Sequence, residues 1–70
     1  MVTVNVKTLY GAILDAVADS GPIETDTLRA ILPEYLPGIK LVRAQVEYAI
    51  ADLLASRRLI VNRANKVEVR

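Results

Sequence analysis

The sequence contains no cysteine, no histidine, no tryptophan and no phenylalanine. Without cysteine there are no disulfide staples and no thiolate nucleophile. Without cysteine and histidine there is no zinc site of the usual donor set and no imidazole to carry protons. No enzyme is therefore expected, and no cofactor or metal is implied. Glycine is scarce: Gly11, Gly21 and Gly38 are too scattered to form a phosphate-cradling loop. No apolar run reaches the ~18–20 residues that a membrane span needs. Met1 is followed by a β-like alternation rather than by the basic start and apolar stretch of a secretory leader. The expectation is a cytoplasmic protein with no membrane association, and the absence of cysteine fits it.

What remains is an aliphatic chain. Its 70 residues suffice for a single domain spanning 1–70, and 53% apolar with 24% charged residues is a globular composition. Tyr10, Tyr35 and Tyr48 are the only aromatics, so the core has to be built of Val, Ile, Leu and Ala. Chains below roughly 70–80 residues often need help beyond a single core. Here that help is self-association, a partner, or dense aliphatic packing.

The pattern along the chain changes period several times. Val2, Val4 and Val6 alternate with Thr3 and Asn5, which predicts a short N-terminal strand, and Asn5 is a suitable N-cap. Val6, Leu9, Tyr10, Ile13, Leu14 and Val17 then form a helical stripe, ended by Gly21 and Pro22, so helix 1 is predicted over residues 6–20. Pro22 to Glu24 read as a short extended bridge. Thr25 is the expected N-cap of helix 2, with Asp26 in its first turn and Leu28, Ile31 and Leu32 on its buried face. Pro33 is expected to interrupt that helix or to begin a further short turn, and Pro37-Gly38 is a turn. Helix 3 is predicted from about Lys40 to Ser56, with Val42, Val46, Ala49, Ile50, Leu53 and Leu54 on one face. Leu59 to Arg63 and Lys66 to Arg70 flank Ala64-Asn65, and Asn65 suits the positive φ of a tight turn. A C-terminal β-hairpin follows.

The fold class is thus α+β, three helices with an N-terminal strand and a C-terminal hairpin. With Val46-x-x-Ala49-Ile50-x-x-Leu53 on the third helix and Leu59-Ile60 leading into the hairpin, the chain resembles the winged helix-turn-helix superfamily over roughly Val6 to Arg70. It departs from that pattern in three places. Arg58, preceded by Arg57, stands where a Gly is usual; the turn before helix 3 is long and holds Pro33, Pro37 and Gly38; and the N-terminal strand is an addition. The resemblance implies binding of double-stranded DNA, with helix 3 in the major groove and the hairpin wing on the backbone. By position it implies Lys40 and Arg43 at the start of helix 3, Arg63 and Lys66 at the wing tip, and Arg57 and Arg58, with Arg70, as further phosphate partners. A single module of this size makes few contacts, so a homodimer is expected.

Charge is consistent with this reading but does not establish it. Lys7 and Arg29 against five carboxylates leave residues 1–35 at −3, while seven cations against Glu47, Asp52 and Glu68 leave residues 36–70 at +4. Such asymmetry can mark a nucleic-acid face, and it can equally be a mixed solvated surface. A helical wheel for helix 3 also opens an alternative. Leu41, Ala44, Tyr48, Ala51 and Ala55 lie opposite its buried face, where a DNA-reading helix usually carries polar side chains. A helix apolar on two faces is commonly buried on both. Exposed alanines on a good helix former are the ordinary explanation. The sharper one is a protein–protein interaction module on the same fold, as in some virus-encoded or accessory proteins, with those five residues as the partner interface. Tyr48 would stack on a base in the first case or anchor the interface in the second. Asp15 and Asp19, four residues apart, read as a solvated helix face. Arg57 and Arg58 also suit the electrostatics of a helix C-terminus.

Overall fold

The computed structural model describes residues 6–70, with the side chain of Val6 excepted; the predicted strand Val2–Asn5 and the Asn5 cap lie outside the described residues. Three helices are followed by an antiparallel hairpin: α1 (Val6–Ser20), α2 (Thr25–Tyr35), α3 (Arg43–Ala55), β1 (Leu59–Val61) and β2 (Val67–Val69). The chain is a small α+β protein.

α1 is the scaffold against which α2, α3 and β2 all pack. Its buried stripe is Leu9, Ala12, Ile13, Ala16 and Val17, with Tyr10 and Leu14 half-buried at its edge. The stripe is centred on Ile13 and Ala16, rotated slightly from the one that the larger side chains trace. The two alanines let neighbouring elements approach closely, and a pattern read from large residues passes over them. Leu28, Leu32 and Leu36 enter from the second segment, Val46, Ala49, Ile50 and Leu53 from α3, and Leu59 and Val67 from the hairpin. Every buried residue in this core is aliphatic. α1 ends on Gly21, whose φ of +74° is free of a Cβ penalty and whose N–H donates to the Val17 carbonyl at 2.9 Å.

The extended bridge after α1 acquires a partner. The Ile23 N–H donates to the Val67 carbonyl at 3.0 Å, and the Val67 N–H donates to the Ile23 carbonyl at 2.6 Å. A two-stranded hairpin is marginal alone, and Ile23 gives this one a third backbone partner.

Four local expectations need correction. α2 begins at Thr25 itself, and its N-cap is Glu24, extended at φ −73° and ψ 151° with no side-chain cap bond. Pro33 lies inside α2 rather than ending it. It is exposed, and the next turn closes normally, with the Leu36 N–H on the Leu32 carbonyl at 3.2 Å. α3 begins at Arg43, three residues later than the wheel assumes. Ile39 to Val42 alternate inward and outward like a strand, so Leu41 packs on the core and Val42, expected inside, is 42% exposed. The paired strands are also shorter than the two β-rich runs: residues 62–66 form the loop between them.

That loop is organised by Asn62. The Asn65 N–H reaches the Asn62 carbonyl at 3.0 Å, closing a β-turn, and Asn65 then takes φ +62°, as its residue type suggests. The Asn62 side-chain Oδ1 accepts from the backbone N–H of Ala64 at 2.9 Å and of Lys66 at 3.1 Å, and its Nδ2 donates to Glu68 at 3.3 Å. Asn62→Ala strips the loop of three bonds at once. Its expected cost is about 1–2 kcal/mol, measurable as a lowered Tm, with the greatest loss of amide protection in residues 62–66.

Candidate nucleic-acid interface

At the N-terminal end of α3, the first turn presents Arg43, Ala44 and Gln45 to solvent and turns Val46 inward. The Arg43 side chain is 83% exposed. Lys40 is exposed but precedes the helix, so it flanks this end rather than riding on the helix surface. Beside it runs an open groove of about 350 Å³ lined by Arg29, Pro33, Leu41, Arg43 and Val46. Two residues at this end, Gln45 and Arg29, are not among the contacts expected from the sequence. Gln45 is an exposed amide on the first turn, a residue type able to bond an adenine edge. Arg29 sits on α2 and is bonded to both Asp26 and Glu47, so it ties α2 to α3.

At the opposite end, α3 closes with reciprocal backbone bonds. The Arg57 N–H donates to the Leu54 carbonyl at 3.1 Å and the Arg58 N–H to the Leu53 carbonyl at 3.0 Å. This is the Schellman arrangement, and it puts Arg57 in the left-handed region at φ +64°. The sequence departure at Arg57-Arg58 thus falls on the position where glycine is the usual residue. Arg70 pairs across the ribbon with Arg58, its N–H donating to the Arg58 carbonyl at 3.2 Å. Arg63 and Lys66 are exposed in the hairpin loop.

The six predicted DNA contacts therefore fall into three groups: Lys40 with Arg43, Arg57 with Arg58, and Arg63 with Lys66. The rise of an α-helix separates the first two groups by about 20 Å along α3. The loop group neighbours α2, since Ala64 and Asn65 share a shallow recess with Glu24, Thr25 and Asp26.

The carboxylates of the basic half are all engaged within the chain. Glu47 is bonded by Arg29, with Arg43 at 4.0 Å; Asp52 accepts the Tyr10 hydroxyl; Glu68 accepts from Asn62. Among the described residues Lys40, Arg57, Arg58, Arg63, Lys66 and Arg70 have no carboxylate partner. A second phenol is held in the same way as Tyr10: the Tyr35 hydroxyl donates to Asp19 at 3.0 Å, joining α2 to α1.

The second candidate surface lies on the outer side of α3. Ala44, Tyr48, Ala51 and Ala55 are exposed there, Tyr48 at 71%. Leu41 does not belong to it, because it turns toward the core. Asp15 and Asp19 are exposed, and among the described residues no group of three or more acidic, His or Cys side chains could hold a metal ion. No helix among them is long and apolar enough to cross a membrane. Compared with protein-family models, with curated proteins and with solved structures, the chain has no match.

The two tyrosine contacts carry a pH dependence. The hydrogen bond to Asp52, then partial desolvation and the Asp52 charge, push the Tyr10 phenol up to about 12 from 10.0, and the bond to Asp19 raises Tyr35 in the same way. A folded-state value above the unfolded one stabilises the fold fully below pH 10 and is lost as pH rises through the folded value. Stability should therefore fall as pH climbs from about 10 to 12. Tyr10→Phe/Tyr35→Phe should flatten that part of a denaturation-versus-pH curve, and an unchanged slope would show that neither bond contributes.

Proposed function

We propose that the chain is a small winged helix-turn-helix protein of the cytoplasm that binds double-stranded DNA as a homodimer, serving as an accessory factor in transcription regulation or recombination. The order of three helices and a hairpin is compatible with that fold. The observation that carries the function is the disposition of charge. All seven cations of residues 36–70 are exposed, six of them have no carboxylate partner among the described residues, and the three carboxylates of that half are occupied inside the chain. Exposed cations that are held in no ion pair are free to displace counterions from a phosphate backbone.

In this reading the first turn of α3 enters the major groove. Arg43 and Gln45 meet base edges, and Lys40 meets the adjoining phosphates. Arg29 withdraws the Glu47 charge from that approach. Arg63 and Lys66 hold the backbone on the wing side, and Arg57 and Arg58 add phosphate contacts at the far end of α3. Two copies double a contact set too small for tight binding by one. Arg63→Ala/Lys66→Ala should weaken binding to a random duplex several-fold and reduce the slope of log affinity against log salt by about 2. Unchanged affinity and slope in a fluorescence-anisotropy titration would remove the wing from the interface.

A second reading rests on Tyr48. An exposed tyrosine among Ala44, Ala51 and Ala55 suits a protein partner or the dimer contact itself, since small residues allow close approach and tyrosine is favoured at interfaces. Tyr48→Arg should then abolish self-association or partner binding and leave the fold intact, as judged by light scattering and circular dichroism. A variant with unaltered mass and binding would exclude this face.

A further inference from the structure

The groove beside the first turn of α3 is lined by two kinds of side chain. Leu41, Val46 and the Pro33 ring make it apolar, and Arg29 and Arg43 add two guanidinium groups. Leu41 is half-buried on the core and Val46 is buried, so packing fixes both. Arg29 is fixed as well, bonded to Asp26 and Glu47 with its side chain only 24% exposed. Arg43 projects, its side chain 83% exposed, and its one charged neighbour is Glu47, at 4.0 Å from Nε. Its two Nη atoms are engaged with no other group among the described residues. The groove is thus a fixed apolar hollow with one projecting cation.

Pro33 is a separate clue. It lies inside an 11-residue helix, where it lacks the N–H that would bond the Arg29 carbonyl. It is exposed, so no burial in the core offsets the lost bond. Residues that break a local rule without a gain in packing are found at functional sites.

We infer that this groove seats the 5-methyl group of a thymine next to a guanine read by Arg43, and so sets the base sequence that the protein prefers. This rests on the DNA-binding reading above. In the major groove thymine presents a methyl group, and guanine presents the N7 and O6 acceptors that suit an arginine fork. A methyl group gains from an apolar surface already held in place, which Leu41, Val46 and Pro33 supply. The projecting cation beside them complements the acceptor edge of guanine. A phosphate suits the hollow poorly, because its surface is largely aliphatic and Arg29 is already paired with two carboxylates.

Duplexes recovered by the protein from a randomised pool at physiological salt should share a thymine adjacent to a guanine. Replacing thymine by uracil in a recovered duplex deletes the methyl group alone. The parent protein should bind the uracil duplex about fourfold more weakly. Leu41→Ala and Pro33→Ala should each bind the two duplexes alike. Pro33→Ala should also melt at or above the parent Tm, because it regains the N–H for the Arg29 carbonyl. It keeps the comparison valid if Leu41→Ala unfolds. Recovered duplexes without that step, or equal binding of thymine and uracil duplexes by the parent, would overturn the inference; weakened binding by Arg43→Ala would then leave the DNA reading standing. An undiminished preference for thymine in the folded variants would overturn it too, since the methyl group would be read elsewhere. A lower Tm in Pro33→Ala would show that Pro33 serves the fold and would overturn its place in the site. If the parent protein binds no duplex even at low salt, the DNA reading fails and the inference with it.

Discussion

Val67 is the residue through which the parts of this molecule are joined. In an antiparallel ribbon, alternate residues turn their backbone groups away from the partner strand. Lys66 and Arg70 bond toward β1, so Val67 between them faces outward, and there it exchanges two hydrogen bonds with Ile23. Its side chain meanwhile is 1% exposed in the core. One residue thus fixes the α1–α2 connection, the register of the hairpin and the packing of β2 on α1. The placement of the loop cations relative to α2 follows from that junction.

The composition makes such a junction necessary. An aliphatic core without a large aromatic spreads its contacts over many small side chains, and stability rests on their close fit. The tyrosines work at its rim instead. Tyr10 and Tyr35 lay their rings against the core and present their hydroxyls to Asp52 and Asp19, each joining α1 to another helix. These contacts also decide the electrostatics of the surface. Tyr10 holds Asp52, Arg29 holds Glu47 and Asn62 holds Glu68, so among the described residues the cations of residues 36–70 other than Arg43 are in no ion pair, while Asp52 and Glu68 keep their charge.

Much of the fold is legible in the residues. Gly21, Asn65 and the 3.6-residue stripes mark the end of α1, the turn of the hairpin and the buried faces because each depends on local backbone geometry alone. The errors share another cause. The wheel of α3 counts from Lys40, whereas an extended approach through Ile39–Val42 reverses which of Leu41 and Val42 is inside. Thr25 has the side chain of a cap, yet the preceding residue fills that role, since Ile23 is pinned to Val67 and sets where the chain turns into α2. Gln45 and Arg29 escape notice because an exposed amide beside a core valine, or a lone arginine on another helix, carries no signal until neighbours are known.

By itself the sequence determined the three helices and the C-terminal hairpin, the aliphatic character of the core and the exclusion of Cys and His chemistry, since these follow from residue type and period. Only the tertiary structure decided which cations stand free and which carboxylates are occupied. Only it set Arg58 against Arg70 and forced Arg57 into the left-handed region. Those are pairings between residues distant in the chain, or backbone angles imposed by the direction in which the next strand must leave. No local pattern encodes either one.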